Sequence, residues 1–182
     1  MAAVAPQAEK DAAGRDIVIV FGHSLGAVLA FELSRKLTES PGKPTIRLAV
    51  SGSPGPWERR EARATGLDDN AFLSQVSRLA GYDHPALQDP DLRELLLPII
   101  RADVEMHERY APELQRPVDF PITCIRGSDD ALVTREAALQ WRRATTRELR
   151  YVEIPGNHMY LINNSGALIA ALTELGLAPK IG

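Results

Sequence analysis

Short β-branched runs alternate along this chain with longer stretches whose apolar residues return every three or four positions. Ile17–Phe21 reads IVIVF and stops at Gly22, the pattern of a strand buried on both faces. Beyond it Leu25, Val28, Leu29, Leu33 and Leu37 fall on one side of a helix, which Pro41, Gly42 and Pro44 close. A second strand is predicted over Ile46–Val50, running into the Gly/Pro-rich SGSPGPW, and a third over Ile122–Ile125 before Gly127. A helix around Ala137–Ala144, a strand over Leu149–Ile154, the loop PGNH and a helix over about Leu161–Leu175 complete the chain. This order predicts an α/β fold: a mostly parallel sheet flanked by helices, with reactive loops at the carboxyl ends of the strands.

One stretch departs from the alternation. Residues 58–118, between the second and third predicted strands, carry helical signals and no strand signal. There Leu92, Leu95, Leu96, Ile99 and Ile100 make an apolar helical face, and Pro98 is expected to bend it. A helical insertion at this place in an α/β chain reads as a lid over the reactive edge. The Ala-rich residues 1–15 show no pattern and are expected to be disordered, leaving 16–182 as one domain.

Composition mainly excludes partners. The 21 basic and 24 acidic side chains are spread along the whole length, so there is no basic stripe for nucleic acid. No run of about 18 apolar residues is present to span a bilayer, and the N-terminus lacks the apolar stretch of a signal peptide, so a cytoplasmic location and no membrane partner are expected. The single Cys124 allows no internal disulfide, and with four scattered histidines it makes no metal-ligand spacing. No metal or organic cofactor is expected.

The chemistry is concentrated at strand ends. Gly22-His23-Ser24-Leu25-Gly26 fits G-x-S-x-G and falls between a buried strand and an amphipathic helix, where a nucleophilic serine sits on a strained turn. A serine hydroxyl attacks only when a neighbouring base takes its proton, and that base needs an acid to fix its tautomer. In α/β-hydrolases, whose elbow this resembles, the chain order is serine, acid, histidine. Asp130 follows the third strand in Gly-Ser-Asp-Asp and His158 follows the last strand in Pro-Gly-Asn-His. Asp129 is the rival acid, one residue away, and periodicity does not separate the two. His23, His84 and His107 follow no late strand and are weaker candidates for the base. One oxyanion donor is the backbone N–H of Leu25 at the start of the helix. The second donor in this fold comes from a loop ahead of the nucleophile strand, for which the short segment before Ile17 offers no counterpart.

Three segments resemble the type II thioesterases, the free-standing editing enzymes of polyketide and nonribosomal peptide synthesis. They are FGHSLGAVLAFELSRKL with its acidic Glu32; Leu79-Ala80-Gly81-Tyr82 with DPDLRELLLPIIRADVEMHERY (Asp89 to Tyr110); and PITCIRGSDDALVTREAALQW with PGNHMYL. The resemblance covers the chain from about Asp16 onward. It implies an α/β-hydrolase fold that lacks the family's first strands, with a Ser24–His158–Asp130 triad. It also implies a substrate held as a thioester on the phosphopantetheine arm of an acyl carrier or peptidyl carrier protein. The insertion is then expected to form the acyl pocket, with Leu96, Ile100 and Met106 as pocket residues. Two other readings share the motifs: a carboxylesterase or macrocyclising thioesterase domain, and a catalytically weak fragment that still binds a carrier protein.

Overall fold

The computed structural model describes residues 5–39, 44–58, 63–80, 85–112 and 115–177. Four strands, β1 (Ile17–His23), β2 (Thr45–Ser51), β3 (Ile122–Gly127) and β4 (Leu149–Ile154), form one sheet in the order β1-β2-β3-β4. Every neighbouring pair is parallel, with Val20 against Leu48, Leu48 against Ile122 and Ile122 against Leu149 in one row across the sheet. Parallel pairing requires each connection to cross a face of the sheet, and this is why apolar runs rather than alternating patterns encode the central strands. All six residues of β3 are buried.

The two faces hold two cores. Ile46, Leu48 and Val50 of β2 and Ile122 and Cys124 of β3 point to one side. There they meet Ala27, Ala30, Phe31 and Leu37 of α2 (Leu25–Leu37), Ala138 of α5 (Arg135–Leu139), and Trp141 and Ala144 of the 3-10 turn Gln140–Ala144. The alternate residues Ala49 and Ile125 point to the other side, against Tyr160 of α6 (Tyr160–Asn163) and Leu168 and Ala171 of α7 (Ser165–Leu177). Trp141 is fully buried edge-to-face against Phe31, ring centroids 5.5 Å apart, and its indole N–H donates to the Ser53 carbonyl at 2.9 Å. One side chain thus fills the first core and ties down the loop that leaves β2.

Before the sheet, Ala5–Ala12, within the stretch expected to be disordered, form the helix α1. Its Ala8 and Ala12 pack against the first core, and small side chains let it lie close to α2. Alanine has the highest helix propensity, so composition that reads as featureless by periodicity still forms a helix once a surface is present.

The insertion between β2 and β3 contains α3 (Asp69–Ala80), a 3-10 turn at Pro85–Leu87 and α4 (Pro90–Arg109). Gly81 and Tyr82 lie outside the described residues. Asp89 caps α4 by accepting from the N–H groups of Asp91 and Leu92. The helix continues through Pro98, which is exposed, so the carbonyl one turn earlier that loses its partner faces solvent. The expected apolar face of α4 is split: Leu96 and Ile100 are half-buried, whereas Leu92, Leu95 and Ile99 are exposed. No residue of α4 is fully buried, because the helix packs on α2 and along the cavity and contributes to neither core.

Two contacts fasten the end of α4. Glu108 accepts from the backbone N–H groups of Arg63, Ala64 and Thr65 at 2.8, 2.9 and 3.0 Å. Burial acts to raise its pKa, but these backbone bonds and the nearby Thr65 hydroxyl outweigh it and hold the carboxyl below its ordinary value. The Tyr110 hydroxyl donates to Glu32 of α2 at 2.7 Å. Replacing Trp141 by Ala removes a whole buried ring and leaves the Ser53 carbonyl without its donor. The expected loss is about 3–5 kcal/mol of unfolding free energy, read by urea denaturation.

Candidate active site

Ser24 occupies the single residue between β1 and α2 and has φ 54° and ψ −118°. Among the described residues it is the only one other than glycine with positive φ. Its N–H donates to the Ser51 carbonyl at 2.8 Å, tying the turn to the end of β2. The turn is so tight that a Cβ on Gly22 would lie 1.8 Å from the Gly26 carbonyl oxygen, and so Gly22 admits no side chain. Gly26 is under no such constraint: a Cβ there would meet nothing within 4 Å and would project into open space. Strain at Ser24 is held by the strand on one side and the helix on the other.

The carboxylate that meets the late histidine is Asp130, not Asp129. Asp130 Oδ2 lies 2.9 Å from His158 Nδ1, and both side chains are buried. Its Oδ1 accepts from the N–H groups of Leu132 and Val133 at 2.8 and 3.0 Å. Burial pushes its pKa up, but the bond and charge interaction with His158 and the two backbone donors prevail, so the carboxyl stays below its ordinary value and ionised. Arg126, buried behind the loop, donates to the carbonyls of Ser128, Asp130 and Val133 and pairs with Glu153. Asp129, by contrast, is exposed and accepts only from the adjacent Ser128 hydroxyl at 2.9 Å. With Nδ1 engaged by Asp130, Nε2 of His158 is the nitrogen that can take a proton.

Ser24, Leu25 and His158 line one cavity of about 780 Å³, which the insertion roofs. Its apolar wall comes from Leu29 of α2, Val76 and Leu79 of α3, and Ile100 and Val104 of α4. Of the three expected pocket residues, only Ile100 is among those lining it. Leu96 lies on the same side of α4 one turn further along, beyond the cavity, and Met106 points some 120° away from Ile100 and is exposed. Periodicity found the helix but not which side faces the serine.

Several neighbours were not legible in the sequence. His23 lies 4.8 Å from His158 between ring centroids, although it follows no late strand. His107 of α4 also lines the cavity. The spacing Ile100, Val104, His107 on one helix face was the available signal. Cys124 is buried and its thiol pushed up to about 12, so it is no nucleophile. Among the described residues no cluster of His, Cys, Asp or Glu could hold a metal ion.

Residues 1–175 match the family model described as Thioesterase domain. The chain belongs to that family. It is 32% identical to the gramicidin S biosynthesis protein GrsT of Aneurinibacillus migulanus over 166 residues, covering 88% of this chain and 64% of that protein. It is 36% identical to the thioesterase PikA5 of Streptomyces venezuelae over 141 residues, 78% of this chain and 50% of that protein. The chain therefore spans between half and two thirds of these relatives. Among solved structures it is similar to ClbQ from the colibactin pathway, with TM-score 0.84, 28% identity, and 96% of this chain and 74% of that one covered. It is likewise similar to the type II thioesterase BorB from the borrelidin cluster, with TM-score 0.80, 29% identity, and 96% and 72% covered. The thioesterase fold here is the α/β-hydrolase fold, a parallel sheet flanked by helices.

Asp130→Asn in this thioesterase-family chain should lower turnover by about 10⁴-fold, because an amide no longer enforces the Nδ1–H tautomer. Asp129→Asn should leave turnover within about twofold, in keeping with an exposed substitution outside the pair. The depressed pKa of Asp130 gives stability that is present above pH ~4 and is lost as pH falls through the lower folded-state value. The stability gap between the parent and Asp130→Asn should therefore close at low pH, as thermal melts across pH would show.

Proposed function

We propose that this chain is a type II thioesterase that releases acyl groups from the phosphopantetheine arm of acyl carrier or peptidyl carrier proteins in polyketide and nonribosomal peptide synthesis. The observation that carries the reading is the buried Asp130–His158 pair opening on the same apolar cavity as Ser24. Its likeness to type II thioesterases over almost the whole chain supports the substrate class.

The Asp130–His158 pair and the turn at Ser24 support the following chemistry. His158 Nε2 takes the proton from Ser24 Oγ as the oxygen attacks the thioester carbonyl. Asp130, ionised and buried, stabilises the imidazolium that forms. The Leu25 N–H, at the positive end of α2, donates to the tetrahedral oxyanion. Collapse breaks the C–S bond, and the imidazolium returns its proton to the departing pantetheine thiolate. Water, deprotonated by His158, then releases the free acid and restores Ser24. The steps call on no metal or organic cofactor. The cavity formed with the insertion holds the acyl chain, and the carrier docks outside it. No helix among the described residues is long and apolar enough to cross a membrane; a cytoplasmic location suits a substrate made by cytoplasmic synthases.

The test is release of free acid from acylated carrier protein by the parent chain and by Ser24→Ala. Serine-dependent release, with Ser24→Ala slower by at least about 10⁴-fold, is the expected result. Equal background rates from folded protein would sink the catalytic reading, and faster turnover of p-nitrophenyl esters than of carrier thioesters would favour a carboxylesterase. Ile100→Trp should shift preference toward shorter acyl chains by filling the cavity wall. Met106→Ala should not, and a chain-length series compares the two.

A further inference from the structure

His23, the residue just before Ser24, is held by more than its place in the turn. Its Nδ1 lies 2.9 Å from Ser51 Oγ, which in turn lies 2.6 Å from the Tyr160 hydroxyl. These hydrogen bonds form a chain from β1 through the end of β2 to α6, and all three residues lie beneath the catalytic edge. The Tyr160 ring adds an edge contact at 6.0 Å. Nε2 of His23 is buried and has no hydrogen-bond partner among the described residues, so the Ser51 bond is the ring's one polar anchor.

The other side of this ring meets His158. The two imidazoles are 4.8 Å apart and inclined at 46°. Gly52, with φ +55°, lies beneath both: a Cβ there would come within 2.6 Å of His23 Cε1 and 3.0 Å of His158 Cε1. The rings therefore lie against one another in the space above Gly52. Asp130 holds His158 at a single atom, Nδ1, which fixes the tautomer but leaves the ring free to swing about that bond.

We propose that His23 is a positioning residue for the catalytic imidazole: tethered to Ser51 and Tyr160, its ring is the fixed wall that keeps Nε2 of His158 turned to Ser24. The inference rests on the assignment of Ser24 and His158 made above. Its electrostatics are compatible with that task. Burial first, and then His158 and His107, push the pKa of His23 down to about 4 against the opposing pull of Asp130. The ring facing His158, Asp130, Tyr160 and His107 is thus neutral at neutral pH, and it places no positive charge beside the imidazolium.

The experiment uses a fluorophosphonate, which forms a P–O bond to an activated serine, expels fluoride and passes the serine proton to the base. Its rate reports Ser24 and His158 whatever thioester the protein prefers, so failure of the carrier-protein reading leaves this test intact. The parent chain should be labelled at Ser24, located by peptide mass; a parent unreactive there would overturn both the nucleophile assignment and this inference. His23→Leu keeps bulk but loses the tether, and should label at least about tenfold more slowly, as expected when a reacting group is displaced by a fraction of an ångström. His23→Gln, whose amide can still bond Ser51, should stay within about threefold of the parent rate. Parent-like labelling of His23→Leu, or equal losses in the Leu and Gln variants, would overturn the proposal. Ser51→Ala cuts the same tether from its other end and decides the matter if His23→Leu does not fold: slowed labelling supports the proposal and parent-like labelling sinks it.

Discussion

The site depends on one close approach of backbone to backbone. β1 ends and α2 begins with only Ser24 between them, and the Gly26 carbonyl then sits where a side chain on Gly22 would be. The chain can turn this sharply because Gly22 has no Cβ and because Ser24 accepts a positive φ that only surrounding structure can hold. In return the hydroxyl stands clear of both elements. It faces the cavity with the start of a helix behind it, where a developing negative charge is favoured.

Parallel pairing brings the partners to it. With all four strands running the same way, the loops after β1, β3 and β4 emerge on one edge, and Ser24, Asp130 and His158 come one from each. The strands position the loops, and a second layer of bonds fixes the side chains: Arg126 clamps the Asp130 loop through its carbonyls, while Leu132 and Val133 hold the carboxylate. The desolvation that would neutralise a buried acid is thus opposed by fixed donors. Asp129 shows the alternative, since the same residue type one position earlier turns its carboxylate to solvent, where it meets the adjacent Ser128 hydroxyl.

The insertion is built differently from the sheet. It has little core of its own and is secured at its end by polar contacts, Glu108 across three consecutive N–H groups and Tyr110 on Glu32. Its apolar residues divide between the cavity and the solvent, leaving Leu92, Leu95 and Ile99 exposed on α4. An element packed in this way can vary its cavity wall without disturbing the two cores beneath.

Local pattern was enough for the strands, the main helices, the elbow and the order serine, acid, histidine, because each follows from short-range physics: β-branched apolar runs, apolar residues at helical spacing, and a glycine at position 22 where no side chain fits. It was not enough for the burial of the first run on both faces, since Ile19 and Phe21 are exposed. Local pattern also sufficed for the resemblance, since the chain matches the thioesterase family model over residues 1–175. The choice between Asp129 and Asp130 was made only by the folded loop, since adjacent residues share every sequence signal and differ in the direction their side chains take. That Ile100 faces the cavity and Met106 does not, that α1 finds a surface on which to form, and that His23 lies against His158 above Gly52 are likewise tertiary facts. Each depends on which distant surfaces the parallel sheet brings together, and no periodicity along a chain carries that information.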